Sequence, residues 1–131
     1  MAVTASEFKR PLRLMIVDDS NVMRRRIERS QQIDRFEVVG LASNGLEAIE
    51  IFQRTDPDVV TMDITMPQMD GIECVGRLVE LKPHVLILVI SALADKATAV
   101  EAMEKGANGF LNKPFTDRQL SDALEELVGG A

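Results

Sequence analysis

The sequence is poor in the residues that usually build redox and metal chemistry: one cysteine and one histidine in 131 residues. A single thiol, Cys74, excludes an internal disulfide and a cysteine-based metal cluster. It is consistent with a reducing compartment. Cys74 falls inside an apolar-periodic segment, where a buried structural thiol is expected rather than a reactive one. No apolar run approaches the ~20 residues of a membrane span. The first residues, 1–11, also lack the long apolar core of a signal peptide. They read as a short, flexible tail, and the protein as cytoplasmic with no membrane partner. Excess positive charge is missing too: the formal net charge of −6 argues against nucleic acid as the main partner. The one basic cluster, Arg24, Arg25, Arg26 and Arg29, reads as a solvated helix face.

What the chain does have is a hydrophobic fraction of 46% and a charged fraction of 27%, those of an ordinary globular protein. Its length suits one domain with a real core, expected over residues 12–131 with no second domain. Leu12 to Val17 is a compact apolar run that reads as a buried strand. Asp18, Asp19 and Ser20 follow, and Ser20 or Asp19 is placed to cap a helix whose Val22, Met23, Ile27 and Ser30 share a face. Phe36 to Ala42 is rich in β formers and leads through Ser43-Asn44-Gly45 to a second helix with Leu46, Ile49 and Phe52 inward. Asp56-Pro57 stops it. Val59 to Met62 is a third apolar run, ending at Asp63. Gly71 opens a helix with Ile72, Val75 and Val79 at i, i+3, i+7, and Lys82-Pro83 ends it.

Val85 to Ile90 is the most apolar strand. Asp95 to Lys105 is a helix with a weaker apolar face, mainly Ala99, Val100 and Met103, closed by Gly106. Gly109 to Leu111 is a short strand. Thr116 and Gln119 form a capping-box pattern ahead of Leu120, Ala123, Leu124, Leu127 and Val128. Strand and helix alternate five times with no hairpin signal, and the strands are continuously apolar. That pattern predicts an α/β fold: a single doubly wound, five-stranded parallel sheet with five helices.

The ends of these strands carry the chemistry. Asp18 and Asp19 follow the first strand, Asp63 ends the third, Ser91 follows the fourth and Lys113 follows the fifth. In a parallel sheet those ends share one edge, where ligands bind. Each residue alone has a bland account as cap, turn residue or solvated cation; their convergence does not. Three acids repel one another unless a cation sits among them. Oxygen-only ligands suit Mg²⁺, which keeps several waters and bridges to phosphoryl groups. A carboxylate can act as a nucleophile and form an aspartyl phosphate. The metal and Lys113 would then neutralise the transferring group. No histidine is placed as a base, since His84 precedes the fourth strand at the opposite edge. Met62, Met66 and Met69 read as packing material.

From about Leu12 to Val128 the sequence resembles the receiver domain of two-component response regulators, in its stand-alone, CheY-like form. The motifs that carry the resemblance are the apolar strand with Asp18-Asp19, M-D-I-T-M-P-Q-M-D-G around Asp63, Ser91-Ala92, and Lys113-Pro114-Phe115. The resemblance implies a flavodoxin-like strand order of 2-1-3-4-5. It implies that Asp63 is the phosphoacceptor and that Mg²⁺ (for which Mn²⁺ can substitute) is held by Asp18, Asp19, Asp63 and the backbone carbonyl of Thr65. Lys113 would pair with the acid and later with the phosphoryl group. Ser91 and Phe110 would be the switch pair, and Pro114 would follow a cis peptide bond. Many family members have Tyr where this chain has Phe110, which cannot make a phenolic hydrogen bond.

By the same resemblance, a sensor histidine kinase or phosphotransfer protein would donate the phosphoryl group in a phosphorelay. A downstream target would read the face of the fourth helix, fifth strand and fifth helix, with the chain a monomer or a weak phosphorylation-dependent dimer. Such a protein is not an enzyme beyond its own phosphoryl transfer and autodephosphorylation. Chemotaxis is the leading pathway. Three other readings compete. An aspartate-based phosphohydrolase of the haloacid dehalogenase type would need a second acid where Thr65 stands. A flavodoxin-like cofactor binder would need a phosphate loop where Asp18-Asp19 stands. A receiver fold acting as a non-phosphorylated pseudo-receiver would not need the full set of acid, hydroxyl and ammonium.

Overall fold

The computed structural model describes residues 11–30, 35–92 and 95–129. The expected tail lies outside these residues except for Pro11. Strands β1 (Leu12–Val17), β2 (Phe36–Ala42), β3 (Val59–Met62), β4 (Leu86–Ser91) and β5 (Gly109–Asn112) alternate with helices. These are α1 (Asn21–Ser30), α2 (Gly45–Thr55), α3 (Gly71–Leu81), α4 (Lys96–Glu104) and α5 (Asp117–Gly129). The sheet is five-stranded in the order β2-β1-β3-β4-β5, and every pair is parallel.

Continuous apolar strands are needed because both sheet faces are covered. Alternate residues of one strand enter opposite layers. Met15, Val17, Val60, Met62, Ile87 and Val89 pack with Ala48, Ile51 and Phe52 of α2, with Cys74, Val75 and Leu78 of α3 and with Ala102 of α4. Leu14, Ile16, Val59, Leu88 and Ile90 pack with Ile27 of α1 and with Leu120, Leu124 and Val128 of α5. Each fully buried Leu, Ile or Met side chain contributes roughly 1.5–3 kcal/mol of hydrophobic stabilisation. Together they hold five strand ends in fixed register.

The helices start where short polar side chains accept their first amides. Ser20 accepts from the Met23 amide, Asn44 from Glu47, Asp70 from Glu73 and Asp95 from Thr98. Thr116 and Gln119 form the reciprocal capping box read from the sequence, at 2.8 and 3.0 Å. Gly106, just past α4, has φ +119° and stands against Val79, where a side chain would be strained.

Several helix faces differ from expectation. Val22 (75% exposed), Leu46 (54%), Val100 (46%) and Met103 (45%) face outward. Each helix buries a narrower stripe than its apolar residues suggest. Ile27 is the one fully buried residue of α1. In α2 the buried residues are Gly45, Ala48, Ile51 and Phe52, with Gly45 set against Met69 of the loop after β3, so Leu46 falls outside the inward stripe. In α4 only Ala102 is buried. Strand and helix limits otherwise shift by one residue, the usual ambiguity at element ends.

Candidate functional site

Three backbone ladders run on past their strands and deliver two acids and the lysine. The Asp18 amide donates to the Ala42 carbonyl at 3.0 Å, and the Asp63 amide donates to Val17 at 2.9 Å. The Lys113 amide donates to the Ser91 carbonyl, also at 2.9 Å. Asp18, Asp63 and Ser91 are buried, while Asp19 is exposed. Four of the five polar residues expected at the strand ends are thus locked by main-chain bonds to neighbouring strands.

The ammonium of Lys113 joins two of the acids. Its Nζ lies 2.8 Å from Asp18 Oδ2 and 3.4 Å from Asp63 Oδ1. The other oxygen of Asp18, Oδ1, accepts the Ser20 amide at 2.9 Å. Burial, the largest influence, pushes the Asp63 carboxyl up from 3.8 to about 6. The charge of Asp18 adds to that rise, Lys113 works against it, and Asp19 contributes a smaller upward push. For Lys113 burial works downward, yet the hydrogen bond and charge of Asp18, followed by those of Asp63, hold the ammonium above its ordinary value. One cation thus serves a cluster of three acids and leaves it net negative.

That imbalance is what a metal site needs. Asp18, Asp19 and Asp63 each offer a carboxylate oxygen, and these atoms lie within 4.8 Å of one another. The donor set is all oxygen and hard. It fits Mg²⁺ and lacks the nitrogen and sulfur ligands that would favour zinc or copper. Thr65 is exposed on the β3–α3 loop, two residues past Asp63.

Ser91 and Phe110 belong to the same layer. Ile87 and Val89 point toward α2–α4, so the alternation places Ser91 on that side. Phe110, paired with Val89, is half-buried against the same cluster. The Lys113–Pro114 peptide bond is cis.

The β3–α3 loop that follows Asp63 is held closely. Gly71 donates to the Ile64 carbonyl at 2.7 Å, Gln68 takes φ +73°, and Met66 and Met69 fill space beneath. Cys74 is fully buried and burial pushes its thiol up to about 12, a packing residue as expected. His84 lies next to Lys82 at the far edge, where the Lys82 ammonium binds the Pro57 carbonyl and Asp56.

The arginines of α1 do more than the sequence suggested. Arg24 donates to the Asp18 carbonyl at 2.6 Å. Arg26 lies over the Phe115 ring, 4.4 Å from its centroid, and donates to the Phe115 carbonyl. Arg25 and Arg29 are exposed, so only half of the cluster is a solvated face. No spacing signal announces the Arg26 contact, because its partner lies in a loop 89 residues along the chain.

Among the described residues, no helix is long and apolar enough to cross a membrane. The family model for the response regulator receiver domain matches residues 14–125. The chemotaxis protein CheY of Listeria monocytogenes is 41% identical over 115 residues, covering 88% of this chain and 97% of its own. A chain in the crystal structure of the CheX–CheY–BeF₃–Mg²⁺ complex from Borrelia burgdorferi superposes with a TM-score of 0.88 at 28% identity, covering 92% of both chains. The response regulator domain of Thermotoga maritima CheB superposes with a TM-score of 0.80 at 37% identity, covering 93% of this chain and 96% of its own. With the family's sequence pattern spanning both the acidic edge and the sheet that presents it, the chain belongs to the response regulator receiver domains.

Proposed function

We propose that this receiver domain takes a phosphoryl group on Asp63 from a sensor histidine kinase or phosphotransfer protein, and that the product changes the surface a target protein reads. The observation that carries the reading is the Lys113 ammonium, 2.8 Å from Asp18 and 3.4 Å from Asp63. A cation held there is placed to meet the charge that a phosphoryl group brings.

Asp18, Asp19 and Asp63 would hold Mg²⁺, with the Thr65 backbone carbonyl as a further oxygen. When bound, the cation supplies neutralising charge to the phosphoryl oxygens. The remaining work falls to the chain. An Asp63 oxygen attacks phosphorus in line, an O–P bond forms, and the P–N bond to the donor imidazole breaks. With a carboxyl near 6, Asp63 is mostly ionised at neutral pH and ready as nucleophile. Lys113 stays charged throughout and moves from carboxylate to phosphoryl oxygen. The bond from the Asp63 amide to Val17 and that from the Gly71 amide to Ile64 hold the backbone that carries the attacking oxygen.

The product gains roughly −1.5 to −2 charge, by analogy with other phosphorylated side chains. Ser91 is drawn toward it, and Phe110 turns into the space behind. Both residues lie on the α4 side of the sheet, and α4 buries only Ala102, so its position is weakly held. The exposed Val100 and Met103 on α4 then belong to the face, with β5 and α5, that a target reads. The CheY relatives, matched over nearly their full length, support chemotaxis as the pathway.

Intact mass after acetyl phosphate or phosphoramidate, with and without Mg²⁺, tests this directly. A Mg²⁺-dependent gain of one phosphoryl group, absent in Asp63→Asn, is the expected result. Full labelling of Asp63→Asn would remove Asp63 as acceptor. A protein that gains no mass and fails to bind beryllofluoride would instead be a pseudo-receiver recognised through its surface.

A further inference from the structure

The basic residues of α1 include one whose contacts reach the phosphoryl-transfer machinery without touching it. Arg26 meets the β5–α5 loop and the start of α5 three ways: over the Phe115 ring at 4.4 Å, to the Phe115 carbonyl, and to Asp117 at 3.7 Å. Phe115 is buried, and its carbonyl lies just ahead of α5, where the chain's own helix cannot satisfy it. A planar guanidinium can stack on a ring and donate at its edge at once, which a lysine ammonium does less well. Two residues earlier on the same helix, Arg24 holds the Asp18 carbonyl. Helix α1 is therefore fastened to both loops that face each other across the pocket.

We propose that Arg26 is a positioning residue for Lys113. The short loop from Lys113 to Phe115 is pinned at one end by the bond from the Lys113 amide to Ser91 and at the other by Arg26. With both ends fixed, the lysine stem reaches Asp18 well and Asp63 only just, at 3.4 Å. A loop shift of about half an ångström takes that second contact past hydrogen-bond range. Arg26 thus sets whether one ammonium spans two acids or serves Asp18 alone. The consequence for phosphoryl chemistry rests on the receiver reading; the positioning itself does not.

Arg26→Met keeps the stem and a sulfur–aromatic contact with Phe115 but removes the donor and the charge. Arg26→Lys restores a cation, and Arg25→Met alters an exposed neighbour as control. In metal-free protein labelled at the lysine Cε, the NMR order parameter of Lys113 should fall in Arg26→Met, recover partly in Arg26→Lys and stay unchanged in Arg25→Met. An unchanged Lys113 order parameter in Arg26→Met overturns the inference. Beryllofluoride binding with Mg²⁺, followed by ¹⁹F NMR, should weaken roughly 3- to 30-fold in Arg26→Met. It should show no further loss when Arg26→Met is added to Lys113→Ala. Independent, additive losses would mean that Arg26 serves stability alone. Native protein that binds no beryllofluoride, yet loses Lys113 order in Arg26→Met, would sink the phosphoacceptor reading and leave the positioning role standing.

Discussion

A Cβ on Gly71 would lie 2.1 Å from the carbonyl oxygen of Asp63 and 2.7 Å from the Cα of Ile64. The first residue of α3 therefore rests on the backbone that carries the candidate phosphoacceptor. Neither side can yield cheaply, because both contacts are main chain and the Gly71 amide is bonded to Ile64. The end of β3 and the start of α3 are thus packed main chain against main chain.

Gly71→Ala should therefore disturb the pocket from outside it. Urea denaturation should show a loss of about 1–3 kcal/mol, the range for forcing an extra methyl into a packed site. Beryllofluoride binding should weaken as well, because the Asp63 backbone must move. Full stability with native binding would mean that the α3 start shifts freely, contrary to the close fit.

The Asp63 carboxyl makes stability depend on pH in a stated direction. Its value in the folded chain, about 6, lies above the ordinary 3.8. Folding thus favours the protonated form: the contribution is fully present below about 3.8 and is lost as pH rises through about 6. With metal chelated, Asp63→Asn should be more stable than the native chain at pH 7.5, by about 1–2 kcal/mol after allowing for screening by water at the pocket mouth. The gap should close near pH 4. Added Mg²⁺ should reverse it, since only the native chain keeps all three acids. Equal stability at pH 7.5 in chelator would mean that Lys113 already neutralises Asp63.

Thr61, mid-strand in β3, carries the one buried side-chain oxygen or nitrogen among the described residues that lacks a hydrogen-bond partner. It lies between Ile16 and Leu88 in the sheet register. A buried hydroxyl without a partner costs about 1–3 kcal/mol relative to a satisfied one. Thr61→Val should therefore stabilise the protein by roughly 0.5–1.5 kcal/mol in urea titrations. Destabilisation would point to a buried water bonded to that hydroxyl.

On the proposed function, Ser91→Ala should separate charging of the domain from its response. The variant should keep beryllofluoride occupancy within about tenfold of native, since Asp63, Lys113 and the acids remain. NMR shift changes at Phe110, Val100 and Met103 on beryllofluoride binding should shrink or vanish. Full-size changes in the variant would remove Ser91 from the switch.

The sheet and the pocket were legible in the sequence for one physical reason. A parallel strand buried on both faces must be continuously apolar, so the first polar residue after it marks the edge. Asp18, Asp63 and Lys113 stand out that way. Helix faces were less legible. Leu46 and Val22 follow the helical period, but which stripe turns inward depends on the neighbours, and in α2 Gly45 rather than Leu46 is buried, against Met69 of the loop after β3. The capping roles of Asn44, Asp70 and Asp95 had a local signal, a short polar acceptor three residues before the amide it binds. The contacts of Arg24 and Arg26 had none. A long charged side chain on a helix looks solvated until the loop it reaches is known, and Phe115 is 89 residues away from Arg26.

The Lys113–Asp18 bond spans 95 positions of sequence. On the ribosome, all three acids emerge well before the ammonium that offsets them. A chain interrupted after β4 would carry an uncompensated acidic edge. The acids gain their ammonium only when β5 joins the sheet, so the charge balance of this edge is the last part of the site to be completed.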